Sequence, residues 1–142
     1  MNTVEPIRDL AKIDAIKKLL KGQNIRDWML FTFGVNSALR ISDLLKLRQM
    51  DILDEKGKTL EYMKLRETKT NKGRLFKLND TIIKAIKEYI PKDKYDPNAY
   101  LFPSRKGQNK PIDRKHAWEI ITNAARAVDV KENIRYAWIS CL

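Results

Sequence analysis

NSALRISDLLKL, residues 36–47, is the stretch on which the reading of this chain depends. At about 100° per residue, a helix over these positions sets Arg40 within roughly 40° of Leu44 and Leu47, with Ile41 and Leu45 as a neighbouring apolar stripe. Ser37 or Asn36 is suited to cap its start. An ionised side chain on such a face must be paired, or must reach out of the core toward negative charge. Asp43, one helical turn from Arg40, is the acid placed to pair with the guanidinium and orient it.

Upstream, residues 9–21 carry Leu10, Ile13, Ile16, Lys17 and Leu20 near helical spacing, and Gly22 is a candidate stop. A second helix is expected from Asn24 to about Phe33, with Asp27 three residues after its start as in a capping box. Trp28, Met29, Phe31 and Phe33 are its core candidates, and Gly34 is expected to break it. Downstream, MDIL (50–53) reads as a short strand, DEKGK (54–58) as a turn at Gly57, and TLEYMKL (59–65) as β-rich. RETKTNKGRLFKL (66–78) puts strand-like pieces on either side of Asn71-Lys72-Gly73, so 50–78 predicts a small antiparallel sheet with a hairpin tip near 70–73. Asn79 or Asp80 caps a helix that ends at Pro91. Residues 91–99 form a loop, 100–105 a short extended piece and 106–111 a flexible basic turn. Asp113 caps a last helix. The expectation is one α+β domain over 1–142, mainly helical with a small three-stranded antiparallel sheet, and with 131–142 as an atypical tail.

The chain has 142 residues, 43% hydrophobic and 33% charged, a globular composition long enough for one core. No run of about 18 apolar residues is present to span a membrane. The N-terminus lacks a signal peptide's apolar stretch, and the lone cysteine, Cys141, has no internal disulfide partner. Both point to the cytoplasm. The net charge of +11, spread along the chain rather than gathered in a tail, favours a polyanionic partner, most often nucleic acid. A merely basic soluble surface is the plainer reading of that charge.

Many chemistries have no residues here. One histidine excludes a multi-histidine metal site, and there is no CxxC pair, GxxxxGK[ST] or GxGxxG. Asp43 and Asp51 lack the third carboxylate at a spacing that would call for a divalent ion, so no metal or cofactor is expected. What remains is Arg40 and a hairpin carrying Lys69, with Lys72 and Arg74 close by. A hairpin tip with lysines can touch phosphates or enter a groove of a nucleic acid. Taken alone, it reads better as a solvated turn.

The order of these features carries a resemblance. A helix with G-x-x-S-A-L-R-I-S-D-L-L-x-L is followed by Asp51, a sheet, T-K-T-N-K-G-R, a helix, Leu101-Phe102 and a helix with Ala124-Ala125. Over about Asn24–Val130 this resembles the catalytic domain of tyrosine recombinases, the phage integrase family. Ala38 stands where that family usually has glycine. The resemblance implies a protein of DNA integration or recombination, encoded by a mobile element, that acts on double-stranded DNA through a tyrosine nucleophile without metal or ATP. It implies that Arg40 binds the scissile phosphate, that Lys69 protonates the leaving oxygen and that Asp43 supports the arginine. Such an arginine would be anchored by packing and by Asp43, with its tip facing DNA.

The rest of the family's set does not follow. An H-x-x-R box and then the nucleophilic tyrosine are expected after the last helix, where the chain reads KENIRYAWISCL. Glu119 stands three residues after His116, which reads as a helix-surface histidine. Tyr136 falls where the box should begin and reads as a bystander, and Trp138 and Ile139 are candidates to cover exposed core. Codons such as ATC CGG TAC GCA TGG would spell Ile134–Trp138, and dropping one C would turn them into Ile-Gly-Thr-His, which resembles the entry to that box. The chain is therefore read as a C-terminally truncated, monomeric catalytic domain, unable to cleave or join DNA and binding it weakly and salt-dependently. The alternatives are a non-catalytic DNA-binding or regulatory fragment with an intact recombinase as partner, and a basic α+β module binding protein or RNA.

Overall fold

The computed structural model describes residues 10–37, 39–66 and 73–128. Five helices and a hairpin succeed one another as α1 (Leu10–Gln23), α2 (Ile25–Ser37), α3 (Ile41–Leu45), β1 (Tyr62–Arg66), β2 (Gly73–Lys77), α4 (Asp80–Tyr89) and α5 (Arg114–Ala127). Lys69, Lys72, position 38 and the tail with Tyr136, Trp138, Ile139 and Cys141 lie outside the described residues. No described helix is long and apolar enough to cross a membrane.

Helix α2 is the hub. Trp28, Met29, Leu30, Phe31, Thr32, Phe33, Gly34 and Ser37 are all buried, so the helix needs cover on nearly every side. Helix α1 supplies Ile16 and Leu20, α4 supplies Ile82, Ala85 and Ile86, and α5 supplies Ala117, Trp118, Ile121, Ala124 and Ala125. Each of these three is amphipathic, with exposed charge opposite its buried stripe, such as Lys84, Lys87 and Glu88 on α4. Polar clasps fix the arrangement. Lys21 pairs with Glu88 across α1 and α4, with its ammonium 4.8 Å from the centre of the Trp28 ring. Lys12 Nζ donates to the Val128 carbonyl at 3.0 Å, tying α1 to the end of α5.

Helix starts follow side-chain capping. Asn24 Oδ1 accepts from the Arg26 amide at 2.9 Å, Asn79 Oδ1 from Ile82 at 2.8 Å, and Asp113 Oδ1 from His116 at 2.7 Å. Gly22 does not stop α1, which runs to Gln23 and ends where Asn24 opens the next helix. Gly34 does not break α2 either: it is buried inside the helix, which continues to Ser37.

The sheet has two described strands, not three. They pair antiparallel with Met63 opposite Phe76 and Tyr62 opposite Lys77. Met63 is buried on one face, while Tyr62 and Leu75 are exposed on the other. The expected strand at 50–53 is a 3-10 turn, Gln49–Asp51. Its cause is Asp51, whose Oδ2 accepts the Arg48 amide at 2.7 Å while its own amide bonds the Arg48 carbonyl at 3.0 Å. Pairing survives only as a bridge between Leu53 and Thr59, beside a bond from the Leu60 amide to the Ile52 carbonyl. Between them lies the Asp54–Lys58 turn, with Gly57 at φ +79°. Hydrogen bonds from the Lys58 amide and then the Lys56 amide hold the Asp54 carboxyl below its usual range, against some desolvation.

The chain after α4 is stitched to the turn before the sheet. Arg48 donates to the Asn98 carbonyl at 2.8 Å and to the Tyr100 hydroxyl at 3.1 Å, with its guanidinium over the Tyr100 ring. The Leu101 amide bonds the Leu47 carbonyl, and Leu101 and Phe102 are fully buried. Tyr89 Oη donates to the Leu101 carbonyl at 2.6 Å, and burial pushes its hydroxyl up to about 12, opposed by Arg26 and aided by Asp27.

Phe31→Ala, at a fully buried position on the hub, is expected to lower unfolding free energy in urea by about 3–5 kcal/mol. Tyr89→Phe leaves the Leu101 carbonyl without its donor, at a cost of about 1 kcal/mol near neutral pH. Below pH 10 both folded and unfolded Tyr89 hold their proton. Between pH 10 and 12 the unfolded chain loses it first, so the wild-type chain gives up stability on the order of 2 kcal/mol that the Phe variant does not. Urea titrations of both chains across that range check the difference.

Candidate functional site

The stretch 36–47 is not one helix, and Arg40 does not sit on an apolar helical face. Helix α2 ends at Ser37, Arg40 is extended (φ −64°, ψ 145°), and α3 starts at Ile41 with Arg40 as its N-cap residue. The cause is local. Ser37 Oγ accepts from the Leu39 amide at 3.3 Å and donates to the Gly34 carbonyl at 3.5 Å, so a side chain takes the place of the next helical bond. The break resets the helical phase, and Arg40 becomes exposed.

The bend around it is fixed. Leu39 and Ile41 are only 3% and 4% exposed, so the arginine leaves the surface between two anchored neighbours. Its carbonyl accepts from the amides of Asp43 at 2.9 Å and Leu44 at 3.1 Å. Asp43 lies half-buried in the first turn of α3, with Leu44 and Leu45 buried behind it. Arg74 is on β2, where its backbone is in register with Leu65.

Other arginines have different tasks. Arg26 bonds Asp27 Oδ1 through Nε and donates to the Pro103 carbonyl through Nη1 at 2.9 Å, and Arg48 is engaged with Asn98 and Tyr100. Both are structural links between distant segments. Beside Arg26 lies a groove of about 510 Å³ between the α1–α2 corner, the loop after Pro103 and the start of α5. Arg105, Lys106 and His116 face it, with Asp27 as an acidic member. The 106–111 turn was legible as basic, but its convergence with the start of α5 needed the fold. Gly107 (φ +81°) and Asn109 (φ 49°) shape that turn, and the Ser104 amide bonds the Lys110 carbonyl across it.

The described residues set an exposed arginine at a fixed bend beside a half-buried acid, and a second basic group lines the groove at the start of α2. The match to the model of the phage integrase family over residues 7–137 identifies the class: the chain belongs to that family, the tyrosine recombinases. It is 40% identical over 132 residues to the probable integrase/recombinase YoeC of Bacillus subtilis strain 168, covering 93% of this chain and 68% of that protein. It is 28% identical over 122 residues to the tyrosine recombinase XerA of Pyrococcus furiosus, of which it covers 41%. Among solved structures, the fold matches XerA recombinase with a TM-score of 0.70 at 14% identity, over 98% of this chain and 48% of that one. It matches a lambda integrase tetramer bound to a Holliday junction with a TM-score of 0.67 at 13% identity, over 99% and 41%. The chain thus spans less than half the length of either solved neighbour.

Arg40→Ala and Leu39→Ala are expected to separate charge from anchoring. The first removes an exposed side chain and leaves the melting temperature nearly unchanged, within about 0.5 kcal/mol of stability. The second empties a buried site and costs about 2–4 kcal/mol. Thermal melts followed by circular dichroism read both.

Proposed function

We propose that this chain grips the phosphates of double-stranded DNA as the arginine-and-lysine half of a recombination site. The observation that carries the reading is Arg40, exposed between two buried neighbours at a bend set by backbone bonds. A planar guanidinium matches two phosphate oxygens, and a tether that is already ordered loses little freedom on contact. Asp43, whose amide bonds the Arg40 carbonyl, is the acid that the family likeness pairs with the arginine. Lys69, Lys72 and Arg74 extend the contact from the hairpin, Lys69 being the residue that the family likeness pairs with the leaving oxygen. Arg105, Lys106 and His116 line a separate basic groove beside Arg26, at the opposite end of α2 from Arg40. The net charge of +11 supports an anionic partner. So does the lambda integrase neighbour, which is bound to a Holliday junction.

These 142 residues contain one histidine, followed three residues on by Glu119, and so no H-x-x-R. The reading for these residues taken by themselves is therefore DNA binding without strand cleavage.

Fluorescence anisotropy with a labelled duplex across a salt series tests the binding. Affinity is expected to fall steeply with salt. Arg40→Ala and Lys69→Ala are each expected to weaken it, and to flatten the logarithmic salt slope by about 0.9 for every phosphate left without its cation. Binding indifferent to both substitutions would sink the proposal. Incubation with a nicked duplex that traps cleavage is expected to give no covalent protein–DNA species on a denaturing gel. A trapped adduct would show that the chain cuts DNA.

A further inference from the structure

We infer that Asn36 and Asn79 are positioning residues for Arg40, an inference that rests on the reading of Arg40 as the phosphate anchor. Asn36 lies in the last turn of α2, four residues before Arg40. Its Nδ2 donates to the Thr32 carbonyl at 2.8 Å, which leaves Oδ1 facing outward. Asn79 caps α4 by accepting from the Ile82 amide through Oδ1, which leaves its Nδ2 free to donate. Asn79 Nδ2 then donates to Asn36 Oδ1 at 3.2 Å. Each amide has one end committed to its own helix, so the two can meet in one orientation only. The result is a relay of polar groups from the α2 backbone to the first turn of α4, joining residues 43 positions apart in sequence.

Packing alone does not do this. The α2–α4 contact is apolar, and apolar contact is non-directional, so it permits small slides and rotations of one helix end against the other. A hydrogen bond specifies direction. This one acts where α2 gives way to the bend that Ser37 makes, the segment from which Arg40 projects. It also reaches the root of the hairpin, because Leu78, buried between β2 and Asn79, bonds the Glu61 carbonyl through its amide. The bond is exposed and adds little to stability. Its effect is on where the arginine points.

The cap and the relay can be separated. Asn79→Ser keeps a good N-cap residue but is too short to reach Asn36. Asn36→Ala removes the relay and leaves the cap intact. Both are introduced into the wild-type and the Arg40→Ala chains, and duplex binding is read by anisotropy alongside thermal melts. Asn79→Ser is expected to weaken binding about threefold in the wild-type chain, with little change in melting temperature, and to have no effect in the Arg40→Ala chain. Asn36→Ala should do the same, and it decides the matter if Asn79→Ser lowers the melting temperature. Equal weakening in both backgrounds, or none in either while Arg40→Ala still weakens binding, overturns the inference and leaves the reading of Arg40 standing. If Arg40→Ala itself has no effect, the reading of Arg40 falls and the inference with it.

Discussion

Helix α2 has almost no side to give to water, and the rest of the fold is the consequence. Eight of its thirteen residues are buried, among them Phe31 and Phe33 with no exposed surface. A helix of this kind is stable only when enclosed. Helices α1, α4 and α5 enclose it, and polar clasps at the edges, Lys21 with Glu88 and Lys12 with Val128, fix how they lie. Apolar area supplies the drive and the polar bonds select among arrangements of similar area.

Position in this framework sorts the arginines. Arg26 and Arg48 satisfy their donors within the protein, on carbonyls of Pro103 and Asn98, and link segments that are 77 and 50 residues apart. Arg40 stands at a helix start with its backbone fixed and its side chain exposed. A charge that bonds its own protein holds the fold together. A charge held out on an ordered tether is available to something else.

Much of this was legible in the sequence because capping chemistry is local. Asp113 could be named as a cap from the residues alone, and Asn79 as one of two candidates with Asp80; each of Asn79 and Asp113 accepts the amide three positions on. The apolar run from Trp28 to Phe33 named the core helix. Arg40 was legible as a residue under constraint, but its setting was not. The periodicity of 36–47 runs unbroken through a point where the Ser37 hydroxyl takes the Leu39 amide, and helical spacing does not register that competition. The third strand failed for a similar reason: a stretch as short as MDIL fits a strand or a turn, and the Asp51 carboxylate on the Arg48 amide decides for the turn. The groove beside Arg26 joins segments some eighty residues apart, a distance that no local pattern spans.

The enclosure of α2 also sets an order in time. Helix α1 is made first and covers one side of α2 at once. The sides meant for α4 and α5 have no cover until those helices have been synthesised, and α5 ends about 90 residues after α2 does. At ribosomal speed that interval is on the order of ten seconds. During it, Phe31, Phe33 and their neighbours form a sticky surface on a nascent chain. The clasp from Lys12 to Val128 closes only when α5 is in place, so the first described helix waits for the last before the two are tied together.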